Sequence, residues 1–221
     1  MTDLEARRDA LLLATLPHVP FEGWTPRALR EGAREAGLDP TEPDTLFPGG
    51  PAEMVAHFSD FADRRMEEDL LALDPPPQKV AERVREAIRL RLERWSGERE
   101  AVRRAASLLA MPQNAPLAGR ATFATVDAIW HAAGDDSVDF SWYTKRATLA
   151  AVFSTTVLVW LDDDSPDIEE TLAFLDRRLA DLAQIPKLRG RVEARLSLLP
   201  NPMRLLPARG RRGRRFGLTR G

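Results

Sequence analysis

The stretch from Asp139 to Leu161 constrains the fold more than any other part of the sequence. It begins with polar and aromatic residues and then runs from Ala147 to Leu161 without a charge, a glycine or a proline. An apolar run of about fifteen residues is shorter than the roughly 17–25 residues that a helix needs to cross a bilayer. The stretch therefore predicts one long helix that is buried on nearly every side, wrapped by other helices or by a ligand.

Helical periodicity runs through most of the remaining chain, and no stretch alternates with period two. The pattern predicts an all-α fold of about nine helices. Thr25 and Ser165 are the expected N-caps of two helices, because each precedes a proline that suits the first helical position. The predicted helices are Leu4 to Leu16, Pro26 to Ala36 stopped at Gly37, a turn near Pro43 to Phe47, Pro51 to about Leu73, Val80 to Trp95, Glu98 to Met111, Leu117 to Ala132, the central helix, and Pro166 to near Pro186.

The distribution of charge divides the chain into a body and a tail. From Lys187 to Gly221 there are eleven Lys and Arg side chains and a single acid, Glu193, whereas acids outnumber bases in the rest of the chain. A basic tail of this kind meets an anionic surface or serves only as a flexible solubilising segment. We predict three parts: a degenerate helix-turn-helix region at 1–50, a helical ligand domain at 51–186 and a flexible basic tail at 187–221.

The first three predicted elements have the proportions of a helix-turn-helix motif, in which the third element enters the major groove of DNA. Here that element is P-T-E-P-D-T-L-F, which contains Glu42 and Asp44 but no Lys or Arg. An acidic element is repelled by the phosphate backbone. We therefore expect no specific DNA binding, although a transcription regulator with a ligand domain is the alternative interpretation.

Catalytic and metal-binding motifs are absent from the sequence. There is no cysteine, no glycine-rich phosphate loop and no pair of ligands with the spacing of a di-iron bundle. The three histidines, His18, His57 and His131, lie far apart in the sequence. We predict a protein that is not an enzyme, with no catalytic residue, no metal site and no cofactor.

The two helices before Asp162 carry unusually bulky apolar residues with small residues between them. Phe123 and Trp130 lie on the first helix and Phe153 and Trp160 on the second, with alanines, Ser154 and threonines interleaved. This mixture is compatible with a ligand cavity. A plain packed core is the alternative interpretation of the same pattern.

Several segments together resemble the ubiquinone (coenzyme Q) biosynthesis protein nine family. They span about Leu11 to Leu182, and the stretch W-H-A-A-G-D-D-S-V-D-F-S-W-Y-T-K-R is the most distinctive. The other matching segments are A-L-R-E-G-A-R-E-A-G-L, M-V-A-H-F, M-P-Q-N-A-P and D-D-S-P-D-I-E-E-T-L-A-F-L-D-R-R-L.

The resemblance implies the fold of the TetR regulators, with an N-terminal helix-turn-helix and a C-terminal helical lipid-binding domain, and a homodimer. It implies a lipid-binding accessory protein that binds isoprenoid lipid or quinone intermediates and presents them to a di-iron hydroxylase at the membrane. The surface for that partner maps onto Asp139, Trp142, Tyr143 and Arg146. Helical spacing indicates which side chains face the implied pocket. We expect that pocket to be lined by Phe123, Trp130, Leu149, Val152, Phe153, Thr156 and Trp160.

Two departures from the family pattern concern membrane contact and location. Members of the family often end in an amphipathic helix that binds membranes, whereas this chain ends in a segment broken by prolines and rich in arginine. Leucines beside arginines still allow shallow contact with anionic lipid, each base contributing about 1 kcal/mol near the surface. The organelle presequence of mitochondrial members is missing, which favours a cytoplasmic bacterial protein peripheral to the inner membrane.

Overall fold

The computed structural model describes residues 2–39, 41–135 and 140–196, with residues 140–141 and 183–196 described by their backbone alone. These residues form α-helices and short 3-10 turns without a strand, so the predicted all-α fold is confirmed. The helices are α1 (Asp3–Thr15), α2 (Val19–Glu22), α3 (Pro26–Glu35), α4 (Glu42–Leu46), α5 (Gly50–Leu71), α6 (Val80–Arg94), α7 (Arg99–Leu109), α8 (Ala115–Ala132), α9 (Phe140–Asp162) and α10 (Glu169–Leu196).

The N-terminal region, α1 to α4, has the expected helix-turn-helix elements. The side chain of Thr25 accepts a hydrogen bond from the amide of Ala28 at 3.2 Å, and Pro26 occupies the first turn of α3. Gly37, with a φ of 69°, follows the end of α3, in the left-handed conformation that glycine adopts most easily. The predicted N-cap and stop of this helix are confirmed.

Helices α5 to α9 form the larger part of the fold around one continuous apolar core. Helix α5 packs against α6 and α8, and α8 packs against α9. Trp24 connects the N-terminal region to this core, because its indole N–H donates to the Ala101 carbonyl at 3.0 Å and its ring lies 5.9 Å from that of Phe58. Residues Met1–Leu182 form one compact unit, and the predicted division at residue 50 stays a prediction.

Helix α9 corresponds to the central uncharged helix, but one of its faces is open to solvent. This uncharged face consists of Tyr143, Ala147, Ala151, Thr155 and Leu158, all of them exposed. The prediction of burial on nearly every side is therefore wrong for this chain. Small side chains such as alanine have little apolar area, so their exposure to water costs little free energy.

The turn between α9 and α10 is fixed by Asp163, which is 2% exposed. Its carboxylate accepts hydrogen bonds from the amides of Ser165 and Thr171, each at 2.8 Å, and from the Thr171 hydroxyl. Burial alone would raise the pKa of Asp163, but these hydrogen bonds outweigh burial and lower that pKa to about 2.

Helix α10 is longer than the sequence predicts. It continues through Pro186 to Leu196, so the predicted end near Pro186 is wrong. A proline removes one backbone hydrogen bond, and it can bend a helix instead of ending it. The first half of α10, as far as Leu182, belongs to the compact unit Met1–Leu182. Ala183–Gly221 is a separate unit.

Candidate functional site

A cavity of about 320 Å³ lies within the core, and each helix from α5 to α9 contributes to its wall. Its lining is mostly apolar, and small side chains make room for it: Ala62 on α5 and Ala105 and Ala106 on α7. Ligand cavities in proteins have volumes of about 300–1,000 Å³ and are mainly apolar with a few polar groups. This cavity can therefore hold a ring or a short stretch of lipid tail.

The cavity has a buried floor and an exposed mouth. Val55, Phe58 and Ala62 of α5 form the floor and are each at most 5% exposed. Ala110, Ser154 and Leu158 also line the cavity but are exposed to solvent, so the mouth lies between the end of α7 and the uncharged face of α9.

One wall of the cavity carries a connected cluster of polar side chains. Arg91 donates from Nε to the Asp63 carboxylate at 2.8 Å and from Nη2 to the Ser59 hydroxyl at 3.1 Å. The Thr125 hydroxyl donates to the other Asp63 oxygen at 2.8 Å and lies 3.2 Å from the Ser59 hydroxyl. Ser59, Arg91 and Thr125 line the cavity, and Asp63 lies behind them.

The charge of this cluster is held in an apolar environment. Burial raises the pKa of Asp63, and the positive charge of Arg91 together with its hydrogen bond opposes that rise. The Arg91 guanidinium also lies 5.2 Å from the centre of the Phe153 ring. The ion pair therefore places a polar surface beside an aromatic one in the cavity wall.

Two tryptophans of the lining bring polar N–H groups into the apolar wall. Trp95, which caps the C-terminus of α6, is 7% exposed, and Trp160 of α9 is 1% exposed. The indole N–H of each is buried and has no hydrogen-bond acceptor among the described residues. Buried polar groups normally have a partner, so these two groups require an explanation.

The seven residues predicted to line a lipid pocket are placed in different environments. Phe153 and Trp160 line the cavity. Leu149, Val152 and Thr156 are buried in α9 but are not part of the lining. Trp130 is also outside the lining, and the Lys145 ammonium lies 5.5 Å from the centre of its ring. Phe123 is 45% exposed on α8. Their individual roles in lipid binding stay predictions.

Helices α8 and α9 also carry an aromatic patch, formed by Phe123, Trp142 and Tyr143. The Trp142 ring lies 5.7 Å from that of Phe123 and 4.7 Å from that of Tyr143. Tyr143 is 68% exposed. Phe123, predicted to contact lipid, thus lies beside two residues predicted to contact a protein partner.

Arg146 supports the aromatic patch from beneath. Its guanidinium lies 3.9 Å from the centre of the Trp142 ring, and its Nε donates to Asp127 at 2.6 Å. Arg146 is buried, so in this structure it holds Trp142 in place and does not offer a free charge at the surface. Asp139, the fourth predicted partner residue, lies outside the described residues.

The short helix α4 is acidic, and one of its acids is paired with a basic side chain of α1. Glu42 and Asp44 lie in its first turn, and Glu42 pairs with Arg7 of α1. Arg8 pairs with Glu53 at 2.8 Å, and Arg27 pairs with Glu22 at 3.0 Å. These basic side chains of the N-terminal region are partly neutralised by acids of the same chain, which weakens attraction to phosphates.

Two further properties concern metals and membranes. Within the described part of the chain, no three His, Asp or Glu side chains come together as a possible metal site. Among the same residues, no helix is both long and apolar enough to cross a membrane.

Sequence reasoning missed the contributions of α5, α6 and α7 to the cavity. One signal was present on α6: Arg91 recurs in register with the apolar positions Ile88, Leu92 and Trp95, so a charged side chain falls on the buried face. A charge at such a position is retained only with a partner, and it points to a polar feature in the core.

Comparison with known families identifies the segment that contains α8, α9 and the start of α10. Residues 115–186 match the COQ9 family. The predicted family resemblance is confirmed: the chain carries a COQ9 domain. This domain includes the aromatic patch and the α8 and α9 walls of the cavity.

Similar proteins extend the match beyond this domain. The chain is 38% identical over 178 residues to the rat protein "Ubiquinone biosynthesis protein COQ9, mitochondrial", covering 77% of this chain and 57% of the relative. The human protein of the same name is 36% identical over 184 residues, covering 80% and 58%. The Schizosaccharomyces pombe protein is 29% identical over 192 residues, covering 86% and 75%. The chain thus spans little more than half of the mammalian relatives.

The solved structure of a TetR transcriptional regulator from Nitrosomonas europaea resembles this fold. The TM-score is 0.65 at 21% identity, and the match covers 80% of this chain and 98% of the other. The predicted TetR-like fold is confirmed.

Proposed function

We propose that this protein is a non-catalytic accessory protein of ubiquinone biosynthesis that binds an isoprenoid lipid or quinone intermediate. The observation that carries the proposal is the apolar cavity with a solvent-facing mouth, in a chain with a COQ9 domain. Burial of apolar tail in such a cavity contributes about 25 cal/mol per Å², which offsets part of the cost of leaving the bilayer.

The proposal extends to a partner and a place in the cell. The aromatic patch and Arg146, together with the predicted partner residue Asp139, would bind a di-iron hydroxylase of the pathway and present the intermediate to it. The protein would act as a homodimer at the cytoplasmic face of a bacterial inner membrane, held there by its basic tail. Exposed aromatic side chains such as Tyr143 are typical of the centres of protein interfaces.

A vesicle extraction experiment tests lipid binding. Purified protein is incubated with vesicles that contain a long-chain ubiquinone, the vesicles are pelleted, and the quinone in the supernatant is measured. We expect quinone to appear in the supernatant in proportion to protein. Supernatant quinone equal to that of a protein-free sample would contradict the proposal.

Partner binding is tested by the substitution Trp142→Asp. A charged side chain in the aromatic patch should weaken hydroxylase binding at least tenfold in a pull-down, because it removes a large apolar contact and adds a charge that must be desolvated. The control is Phe21→Asp on α2, an exposed aromatic residue that is far from the patch in sequence. Equal hydroxylase binding by the two variants would exclude the patch as the docking surface.

A TetR-type ligand-responsive regulator is the second candidate, favoured by α3 and α4 in their helix-turn-helix arrangement. A gel shift at low salt separates the two functions. We expect no sequence-specific shift, because the pairing of Arg7 with Glu42 and the acids of α4 oppose phosphate contact.

A further inference from the structure

The mouth of the cavity is bordered by bulky apolar side chains that are exposed to solvent. Leu158 of α9 lines the cavity and is 59% exposed. On the α7 side, Ala110 lines the cavity and is followed directly by Met111, which is 43% exposed. We call Ala110, Met111, Ser154 and Leu158 the mouth rim. Exposed apolar side chains that gather around one opening point to an interaction surface.

The segments that carry the mouth rim contain almost no charge. Between residues 105 and 126, which include the end of α7 and much of α8, Arg120 is the single charged residue, and residues 147–161 of α9 carry none. Across the whole chain, by contrast, 30% of residues are charged. The acids that outnumber bases in the body of the protein lie on other segments, so this side can approach an anionic surface with little repulsion.

The turn between α7 and α8 satisfies much of its own backbone. The Leu108 carbonyl accepts from the Asn114 side-chain amide at 2.8 Å and from the Met111 amide at 3.3 Å, and the Met111 carbonyl accepts from the Asn114 amide at 2.9 Å. Pro112 and Pro116 have no amide proton to satisfy. Backbone groups that leave water for lipid need partners within the protein. This turn therefore suits partial immersion in a bilayer.

We propose that the mouth rim is a membrane-contact surface, which inserts shallowly into the interfacial layer of a lipid bilayer and turns the mouth of the cavity toward it. The inference goes beyond the proposed function, which assigns membrane attachment to the basic tail. The tail supplies attraction to anionic lipid, and the rim supplies an apolar contact that fixes the orientation of the mouth. In this orientation a lipid tail passes from the bilayer into the cavity without crossing water.

The chemistry of the mouth rim favours a bilayer over a protein as its occupant. Specific protein interfaces are anchored by aromatic and arginine side chains in well-packed pockets, and the rim residues include neither. Aliphatic and thioether side chains such as Leu158 and Met111 transfer favourably into lipid without a partner of matching shape. A protein seated on the rim would also cover the mouth of the cavity.

Site-specific labels on the full chain test the proposal. The protein contains no cysteine, so Met111→Cys, Leu158→Cys and Leu71→Cys each accept a single environment-sensitive dye. Leu71, which is 86% exposed at the end of α5 and does not line the cavity, is the control. With vesicles of phosphatidylcholine and phosphatidylglycerol, we expect the dye emission to shift to the blue at both rim positions and to stay unchanged at Leu71. Unchanged emission at either rim position, or equal shifts at all three positions, would overturn the inference.

Charge substitutions measure how much the mouth rim contributes to membrane affinity. Met111→Asp, which lies outside the cavity lining, should weaken binding to the same vesicles about tenfold in a flotation assay, because an apolar contact is lost and a charge is added. Leu71→Asp should leave binding unchanged. The difference should persist at high salt, which screens the attraction of the basic tail. Equal binding by the two variants would overturn the inference.

Two further outcomes separate this inference from its neighbours. If Met111→Asp lowers the oligomeric state in gel filtration and leaves vesicle binding unchanged, the rim is a contact between copies of the protein and the inference is wrong. Quinone extraction without a dye shift at the rim would overturn the inference and leave the proposed function intact. A dye shift at both rim positions without quinone extraction would support the inference and overturn the proposed function.

Discussion

The N-terminal region and the cavity region are packed from the same kind of helix but differ in the space between helices. In the first, α1 and α3 approach so closely that a Cβ atom on Gly32 would lie 2.3 Å from the Thr15 hydroxyl and 2.8 Å from the Thr15 backbone. In the second, α5 to α9 enclose about 320 Å³. The first region has no spare volume at this crossing, whereas the second leaves a space beside small side chains such as Ala62 and Ala105.

Two buried aspartates, one in each region, have pKa values that are shifted in opposite directions. Asp9, in α1, is buried, which raises its pKa, but hydrogen bonds from Arg64 and His57 more than compensate and hold that pKa below its usual value. Asp63, beside the cavity, has one arginine and one hydroxyl, and burial keeps its pKa raised. The Asp9 carboxylate is closed off by its partners, whereas the Asp63 carboxylate is bound by side chains that line the cavity.

The largest expected effect comes from the close crossing of α1 and α3. Gly32→Ala should destabilise the protein by about 3 kcal/mol, because the added methyl group meets the Thr15 backbone, which cannot move without separating the helices. Urea unfolding measures the effect. The control is Gly119→Ala in α8, where an added Cβ meets nothing within 4 Å and should stabilise by about 0.5–1 kcal/mol.

A matched pair of enlarged alanines compares the two regions directly. Ala33→Leu, at a fully buried position of α3, should cost about 2 kcal/mol by overpacking. Ala62→Leu, in the cavity floor, should cost less than about 1 kcal/mol because the larger side chain extends into the cavity. Unfolding curves for both variants measure the difference. Equal destabilisation would mean that the cavity region is packed as tightly as the N-terminal region.

The smallest expected effect is the pH dependence from the turn between α9 and α10. The pKa of Asp163 is lowered from 3.8 to about 2 in the folded protein, so its contribution to stability is present above pH 4 and is lost as the pH falls through 2. The stability difference between wild type and Asp163→Asn should shrink by about 1 kcal/mol between pH 5 and pH 2. A difference that stays constant over this range would contradict the assigned hydrogen bonds.

Local features of the fold were predictable because single residues determine them. Thr25, Pro26 and Gly37 mark the ends of α3, and the uncharged run marks α9. The continuation of α10 past Pro186 was not predictable, since a proline either ends a helix or bends it. The exposed face of α9 was not predictable from the absence of charge, because small uncharged side chains such as Ala147 and Ala151 also occupy exposed positions.

The candidate site was predictable only in part. Phe153 and Trp160 were recognised from the bulk of α9, and both line the cavity. The walls on α5 and α7 were missed, because alanines such as Ala62 and Ala105 are ordinary helix residues in the sequence. Only the three-dimensional arrangement shows that they face one another across a space.

The proposed occupant of the cavity that α5 to α9 enclose is an isoprenoid lipid. It is tested most directly by mass spectrometry of the lipid extracted from purified wild-type protein and from Ala62→Leu, each produced in a bacterium that makes ubiquinone. We predict an isoprenoid quinone or a precursor with the wild-type protein and a loss of most of it with Ala62→Leu. Absence of isoprenoid lipid from the wild type, or equal amounts in both proteins, would contradict the claim.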